Sequence, residues 1–258
     1  MVACGLNERI TNQQVFIITG PQGCGKTTWI ENLMPTKMRD YLYSGKINPS
    51  SKDSTLLLAE RLLVNMDELA SLNHKNIEDF KELITKTKIS ERRVYGKYTN
   101  DYSRIASFAA SSNHTDILTD SSGNRRFLVN ETEVDIDCTV YENLDQFYAQ
   151  AIHLYKSGFK YFFDTEDIVK IEKQNNNFRK FSPLENLLND HIIKVEQSDK
   201  KIKPMVMSST EIIEQLKDRV ENCPLIHPNQ LGKAMSSLKH KTTKVNGGIK
   251  KYVFCFRK

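Results

Sequence analysis

The stretch VFIITGPQGCGKTTWI, residues 15–30, decides the fold. Val15 to Thr19 is apolar and rich in β-branched residues, and it reads as a buried strand. Gly20 and Pro21 end that strand, and Thr27 to Leu33 reads as a helix that stops before Pro35. Between them, residues 20–27 (GPQGCGKT) match the pattern GxxxxGK[ST] in full, in the strand-then-helix context the pattern requires. The glycines let backbone N–H groups curl around phosphate oxygens with no Cβ in the way. The start of the following helix adds partial positive charge.

In such a loop Lys26 reaches the β- and γ-phosphates and the Thr27 hydroxyl ligates Mg²⁺. The expected cofactors are therefore ATP and Mg²⁺. Gly20, Pro21, Gln22, Gly23, Cys24, Gly25, Lys26, Thr27 and Thr28 form the nucleotide cradle.

Working outward, Leu62 to Met66 reads as a second buried strand, ended by Asp67 and Glu68. An aspartate at that strand end can hold Mg²⁺ through water, and a following glutamate is placed to polarise an attacking water. A small-molecule kinase needs no water-activating glutamate, so Glu68 favours an ATPase. Ile105 to Ser111 reads as a third strand, with Asn113 as a polar tip that orients water or senses the γ-phosphate, and Ser112 as the nearby alternative. Phe127 to Val129 reads as a fourth strand, and Arg125 and Arg126 stand just before it. An arginine there can stabilise transition-state charge on a phosphate held by a neighbouring subunit.

The remaining segments are read more coarsely. Residues 35–54, rich in Tyr, Ser, Gly, Pro and Lys, read as loop, and 56–60 as a short helix. Ile77, Phe80, Leu83 and Ile84 recur at helical spacing, predicting an amphipathic helix over about residues 75–87. Arg92 to Tyr102 is basic and aromatic around Gly96 and reads as a hairpin. Helices are expected over 143–157 and 165–174. Strands alternating with helices predict an α/β domain of three layers around a parallel sheet, a P-loop NTPase, over residues 1–178.

Residues 179–258 read as a second domain: helices over 184–195, 209–220 and 228–240, then a hairpin through Gly247 and Gly248. That outline is winged-helix-like. The charge divides in the same place. Residues 181–258 hold 14 Lys/Arg against 8 Asp/Glu, whereas the first 180 residues hold 23 against 24. A basic region of this kind points to a polyanion. Lys233, Lys239, Lys241, Lys244 and Lys250 are the candidate DNA contacts here, with Arg92, Arg93, Lys97 and Tyr98 in the earlier hairpin.

No apolar run approaches the roughly 18–20 residues that span a bilayer. The first residues lack a basic segment followed by an apolar one, so no secretory signal is read. The five cysteines form no CxxC or Cys/His cluster and read as free thiols in a reducing cytoplasm.

Taken in order, GPQGCGKTTWIENLMP, LVNMDEL, the basic hairpin, FAASSN and SSGNRRFLV resemble the virulence-associated protein E family over roughly residues 10–135. These are P-loop ATPases of phages, plasmids and genomic islands, related to superfamily 3 helicases and the AAA+ class. The resemblance implies that Asp67 and Glu68 are the Walker B pair, Asn113 the sensor, and Arg125 or Arg126 a finger acting in trans. A trans finger implies a homo-oligomeric ring, a hexamer, and the hairpin around Lys97 would then grip single-stranded DNA in the pore.

Two departures stand out. Relatives usually carry an N-terminal primase-like or collar region, whereas the first strand here begins at residue 15. Asn65 places a polar side chain inside an apolar strand and needs a hydrogen-bond partner. Two functions remain open from sequence: an ATP-driven DNA helicase or translocase in replication, or an ATP-controlled DNA-binding switch working through the C-terminal domain.

Overall fold

The computed structural model describes residues 1–67, 74–92, 97–118, 123–139, 142–195, 204–221, 223–245 and 249–256. The chain forms two compact units, Met1–Arg179 and Lys180–Lys258.

The first unit is built on a five-stranded sheet. Its strands are β1 (Val15–Thr19), β2 (Leu42–Gly45), β3 (Leu63–Met66), β6 (Ser107–Ser112) and β7 (Phe127–Glu131). They lie in the order β2-β3-β6-β1-β7, and every neighbouring pair is parallel. A parallel sheet needs both faces covered, because its crossovers carry helices. One face packs Ile17, Val64, Met66, Phe108 and Ala110 against Phe80, Leu83 and Ile84 of helix α4 (His74–Thr85). Phe80 meets Phe108 edge-on at 5.3 Å between ring centroids. The other face packs Ile18, Leu63 and Ala109 against Ile30 of α2 (Lys26–Asn32) and Met34. The sheet thus has helices on both faces, as the alternation of elements predicts.

Several segments differ from the sequence reading. Residues 35–54 are not simply loop. They hold a 3-10 turn (Thr36–Tyr41), the edge strand β2 and the start of α3 (Lys52–Glu60). The sequence LYSG has no alternation because β2 is half-buried at best; parallel pairing to β3 holds it in place. A short helix α1 (Val2–Leu6) precedes β1. Strand β4 (Lys88–Glu91) pairs antiparallel with β5 (Asn100–Ser103), so the hairpin's first strand precedes the basic segment expected to form it, and residues 93–96 of that segment lie outside the described residues. Helices α5 (Leu144–Lys156) and α6 (Thr165–Asn175) complete the unit.

Arg104, wholly buried between β5 and β6, donates to the carbonyls of Ile84, Lys86 and Asn12. It ties the end of α4 to the chain before β1, and burial pulls its pKa down to about 10.

The second unit has three helices and an antiparallel sheet. Helix α7 (Pro183–His191) ends earlier than its periodicity suggests and passes into the two-residue strand β8 (Ile192–Ile193). Strand β9 (Met205–Met207) lies between the stretches read as the first two helices and has no counterpart in the sequence reading. It is followed by α8 (Ser209–Arg219) and α9 (Pro228–Ser237). Strands β10 (Lys241–Val245) and β11 (Ile249–Phe256) form the hairpin, and β11 also pairs with β9 and β8. Capping boxes start α7 at Ser182 with Glu185 and α8 at Ser208 with Glu211, satisfying otherwise orphaned amides. Helix α9 stops at Ser237, short of residue 240, because Lys239 turns into the left-handed region at φ 58°. Leu188, Ile212, Leu216, Leu231, Met235 and Phe254 form the core.

Candidate functional site

The C-terminal ends of β1, β3 and β6 meet the start of α2, and the sheet topology alone brings their polar residues together. The loop 20–25 leaves β1 with Gly20 buried and Gln22 and Gly23 exposed. Gly25 takes φ 90°, and a Cβ on it would lie 2.4 Å from the Cys138 sulfur, so only glycine fits without a shift. The amide N–H groups of Gln22, Gly23, Cys24 and Gly25 have no hydrogen-bond partner among the described residues. Successive unpaired amides in a glycine loop make a concavity suited to anions.

The loop's carbonyl side is occupied. Ile136 N–H donates to Cys24 O at 2.9 Å, and the Cys138 thiol to Gly25 O at 3.2 Å. Asn32 Nδ2 donates to Cys138 O at 2.7 Å, so residues 136–138 strap the loop from behind.

Lys26 is only 5% exposed. A buried ammonium must be fully bonded. Its Nζ donates to Gly20 O at 2.9 Å, Pro21 O at 2.5 Å and Asn113 Oδ1 at 3.1 Å. Asn113 lies one residue past β6 and is itself exposed. Thr27 Oγ1 lies 3.1 Å from Ser111 Oγ and 3.4 Å from Asp67 Oδ1, and Ser111 Oγ donates to Asp67 Oδ1 at 3.2 Å. The cleft they line, with Gln22, Gly23, Gly25, Thr28 and Ser112, holds about 300 Å³. The Thr27 hydroxyl and the Asp67 carboxylate, with oxygens 3.4 Å apart, fit a small hard cation, and the Ser111 hydroxyl lies within 3.2 Å of both.

Other residues singled out from sequence lie elsewhere or beyond description. Glu68 and Arg93 fall outside the described residues. Arg125 is exposed, while Arg126 is half-buried and donates to Gly123 O at 3.5 Å. Burial first, then the Arg125 charge, lowers the Arg126 pKa, against the pull of Glu78. Arg92, Lys97 and Tyr98 are all exposed in the β4–β5 hairpin. In the second unit Lys233, Lys239, Lys241, Lys244 and Lys250 are exposed. Lys250 Nζ reaches Ser236 Oγ at 3.3 Å and stands 5.3 Å from the Tyr252 ring. Lys251 pairs with Glu211. Among the described residues no helix is long and apolar enough to cross a membrane.

A family model for the virulence-associated protein E-like domain matches residues 1–180. The chain belongs to that family. No curated protein matches the sequence. Among solved structures, the apo structure of the NrS-1 C-terminal region (305–718) is similar at 14% identity. It has a TM-score of 0.51 and covers 98% of this chain and 70% of that one. The A form of the same region is similar at 15% identity, with a TM-score of 0.49, covering 98% and 69%. At this identity the likeness concerns the fold.

In this VapE-like domain, Ser111 and Cys138 are the site residues the sequence reading passes over. Ser111 sits inside an apolar-looking strand, and only its register, one residue beyond the Met66–Ala110 pair, puts it opposite Asp67. Cys138 lies more than a hundred residues from Gly25 in sequence, so no local pattern links them. Asn65, expected to need a partner, is fully buried and donates to Ser44 Oγ at 3.2 Å.

Proposed function

We propose that the cleft at residues 20–28 binds ATP with Mg²⁺ and that the protein hydrolyses it to move along DNA in the replication of a mobile genetic element. The observation carrying this reading is the convergence of Lys26, Thr27, Asp67, Ser111 and Asn113 on one cleft beside unpaired loop amides. Membership of the virulence-associated protein E-like family supports the setting.

The residues have distinct roles. The amides of Gln22 to Gly25 cradle phosphate oxygens, and Lys26 exchanges its carbonyl contacts for the β- and γ-phosphates. Thr27 and Asp67 would hold the cation, which would supply charge neutralisation to the phosphates. Asn113, released from Lys26, orients the attacking water, and Glu68 accepts its proton. Arg125, exposed where Arg126 is held by its own subunit, supplies the finger to a neighbouring site in a hexameric ring.

Arg92, Arg93, Lys97 and Tyr98 contact single-stranded DNA in the pore through phosphate charge and base stacking. The C-terminal unit, read as a winged helix, sets α9 and the β10–β11 hairpin against DNA through Lys233, Lys239, Lys241, Lys244 and Lys250.

Steady-state ATP hydrolysis with and without single-stranded DNA tests the motor reading. Stimulation by DNA is expected. Hydrolysis that ignores DNA, together with DNA binding that persists in Lys26→Ala, favours the ATP-controlled switch instead.

A further inference from the structure

We propose that Ser111 is a positioning residue for the divalent cation, directing the lone pairs of Thr27 and Asp67 toward the ion. The proposal rests on the reading of the cleft given above and names one more determinant of it.

The direction of the Thr27 hydroxyl proton decides which lone pairs are free. For Thr27 Oγ1 to face a cation, its O–H must point elsewhere. Ser111 Oγ, 3.1 Å away, is an acceptor for it. The Ser111 hydroxyl then sends its own proton to Asp67 Oδ1 at 3.2 Å. The chain Thr27 O–H to Ser111 O–H to Asp67 satisfies each donor once and leaves the outward lone pairs of both ligands clear. Without Ser111, the other acceptor within reach of Thr27 among the described residues is Asp67 itself at 3.4 Å, which spends a carboxylate lone pair on the hydroxyl.

The spacing agrees. Thr27 Oγ1 and Asp67 Oδ1 stand 3.4 Å apart, close enough for both to face one cation. Ser111 is 4% exposed, whereas Thr27 is half-buried and Asp67 exposed, so it stands behind the ligands. A partner behind a ligand fixes its orientation and typically changes metal affinity by about 10–100-fold.

The test is a Mg²⁺ titration of the full chain with a non-hydrolysable ATP analogue, read by calorimetry, and a Mn²⁺ titration read by electron paramagnetic resonance. Ser111→Ala is expected to raise the cation midpoint about tenfold while leaving analogue affinity in chelator unchanged. Ser111→Thr, which keeps the hydroxyl, is expected to restore the midpoint. Ser111→Cys, of similar volume and weaker as a donor, is expected to shift the midpoint in the same direction as alanine, which guards against an alanine variant that fails to fold. A merely structural serine would alter melting or chelator-state affinity without moving the midpoint. If all three variants keep the wild-type midpoint while wild-type binding needs the cation, the role of Ser111 is overturned and the cleft reading survives. If wild-type analogue binding ignores Mg²⁺ altogether, both fall.

Discussion

The two units carry their polar residues in opposite ways. At the top of the parallel sheet, Lys26, Thr27, Asp67, Ser111 and Asn113 come from two strand ends and a helix start, yet each lies within 3.4 Å of another. In the C-terminal unit the lysines are spread over α9 and the β10–β11 hairpin, and Lys250 meets Ser236 while Lys251 meets Glu211 separately. Convergence specifies chemistry, because oxygens and an ammonium at hydrogen-bond distance fit a narrow class of ligand. Dispersed charge specifies only a field, which attracts any polyanion and is screened by salt.

That contrast can be broken or sharpened by experiment. The largest effect is expected from the arginines. Arg125→Ala should lower hydrolysis at assembling concentrations about a thousandfold, as loss of a finger does. Arg126→Ala should act mainly on stability, because its side chain is bound to Gly123 within the subunit. Equal effects on turnover would remove the distinction. Glu68→Gln should cut hydrolysis about a hundredfold with nucleotide binding retained, measured in parallel by turnover and calorimetry.

In the basic unit, Lys233→Ala, Lys241→Ala and Lys244→Ala together should weaken DNA binding about thirtyfold at low salt. They should also reduce the slope of log affinity against log salt by about 2–3. A sequence-dependent loss would instead mean that these lysines read bases.

A smaller effect separates the units by pH. His240 is buried, its Nδ1 has no partner among the described residues, and burial, then the Lys194 charge, pulls its pKa down to about 4 from 6.5. The unfolded chain takes up this proton below about pH 6.5, the folded one only near pH 4. Stability of the C-terminal unit should therefore be full above pH 6.5 and fall by ~1–2 kcal/mol toward pH 4. His240→Gln should flatten that slope in thermal melts.

The same contrast explains what was legible in the sequence. The strand, glycine loop and helix of residues 15–32 are contiguous, and the backbone geometry they need dictates glycine at position 25. Asp67 and Asn113 could be found because each ends an apolar run. Ser111 could not, since its meaning comes from parallel register with β3. Strand β2 has little apolar signal of its own, and Arg104 looks like a surface charge until three carbonyls from distant segments surround it. The strap at Cys138 is likewise a long-range contact. What the chain does locally is written in residue types; what it does by tertiary contact is not.

The central claim is that the convergent cleft, and not the diffuse basic surface, binds nucleotide. Calorimetric titration of the wild-type chain and of Lys26→Ala with a non-hydrolysable ATP analogue and Mg²⁺ tests it most directly. One saturable site is expected in the wild type, with about a hundredfold loss of affinity in the variant. Equal binding by the two proteins would contradict it.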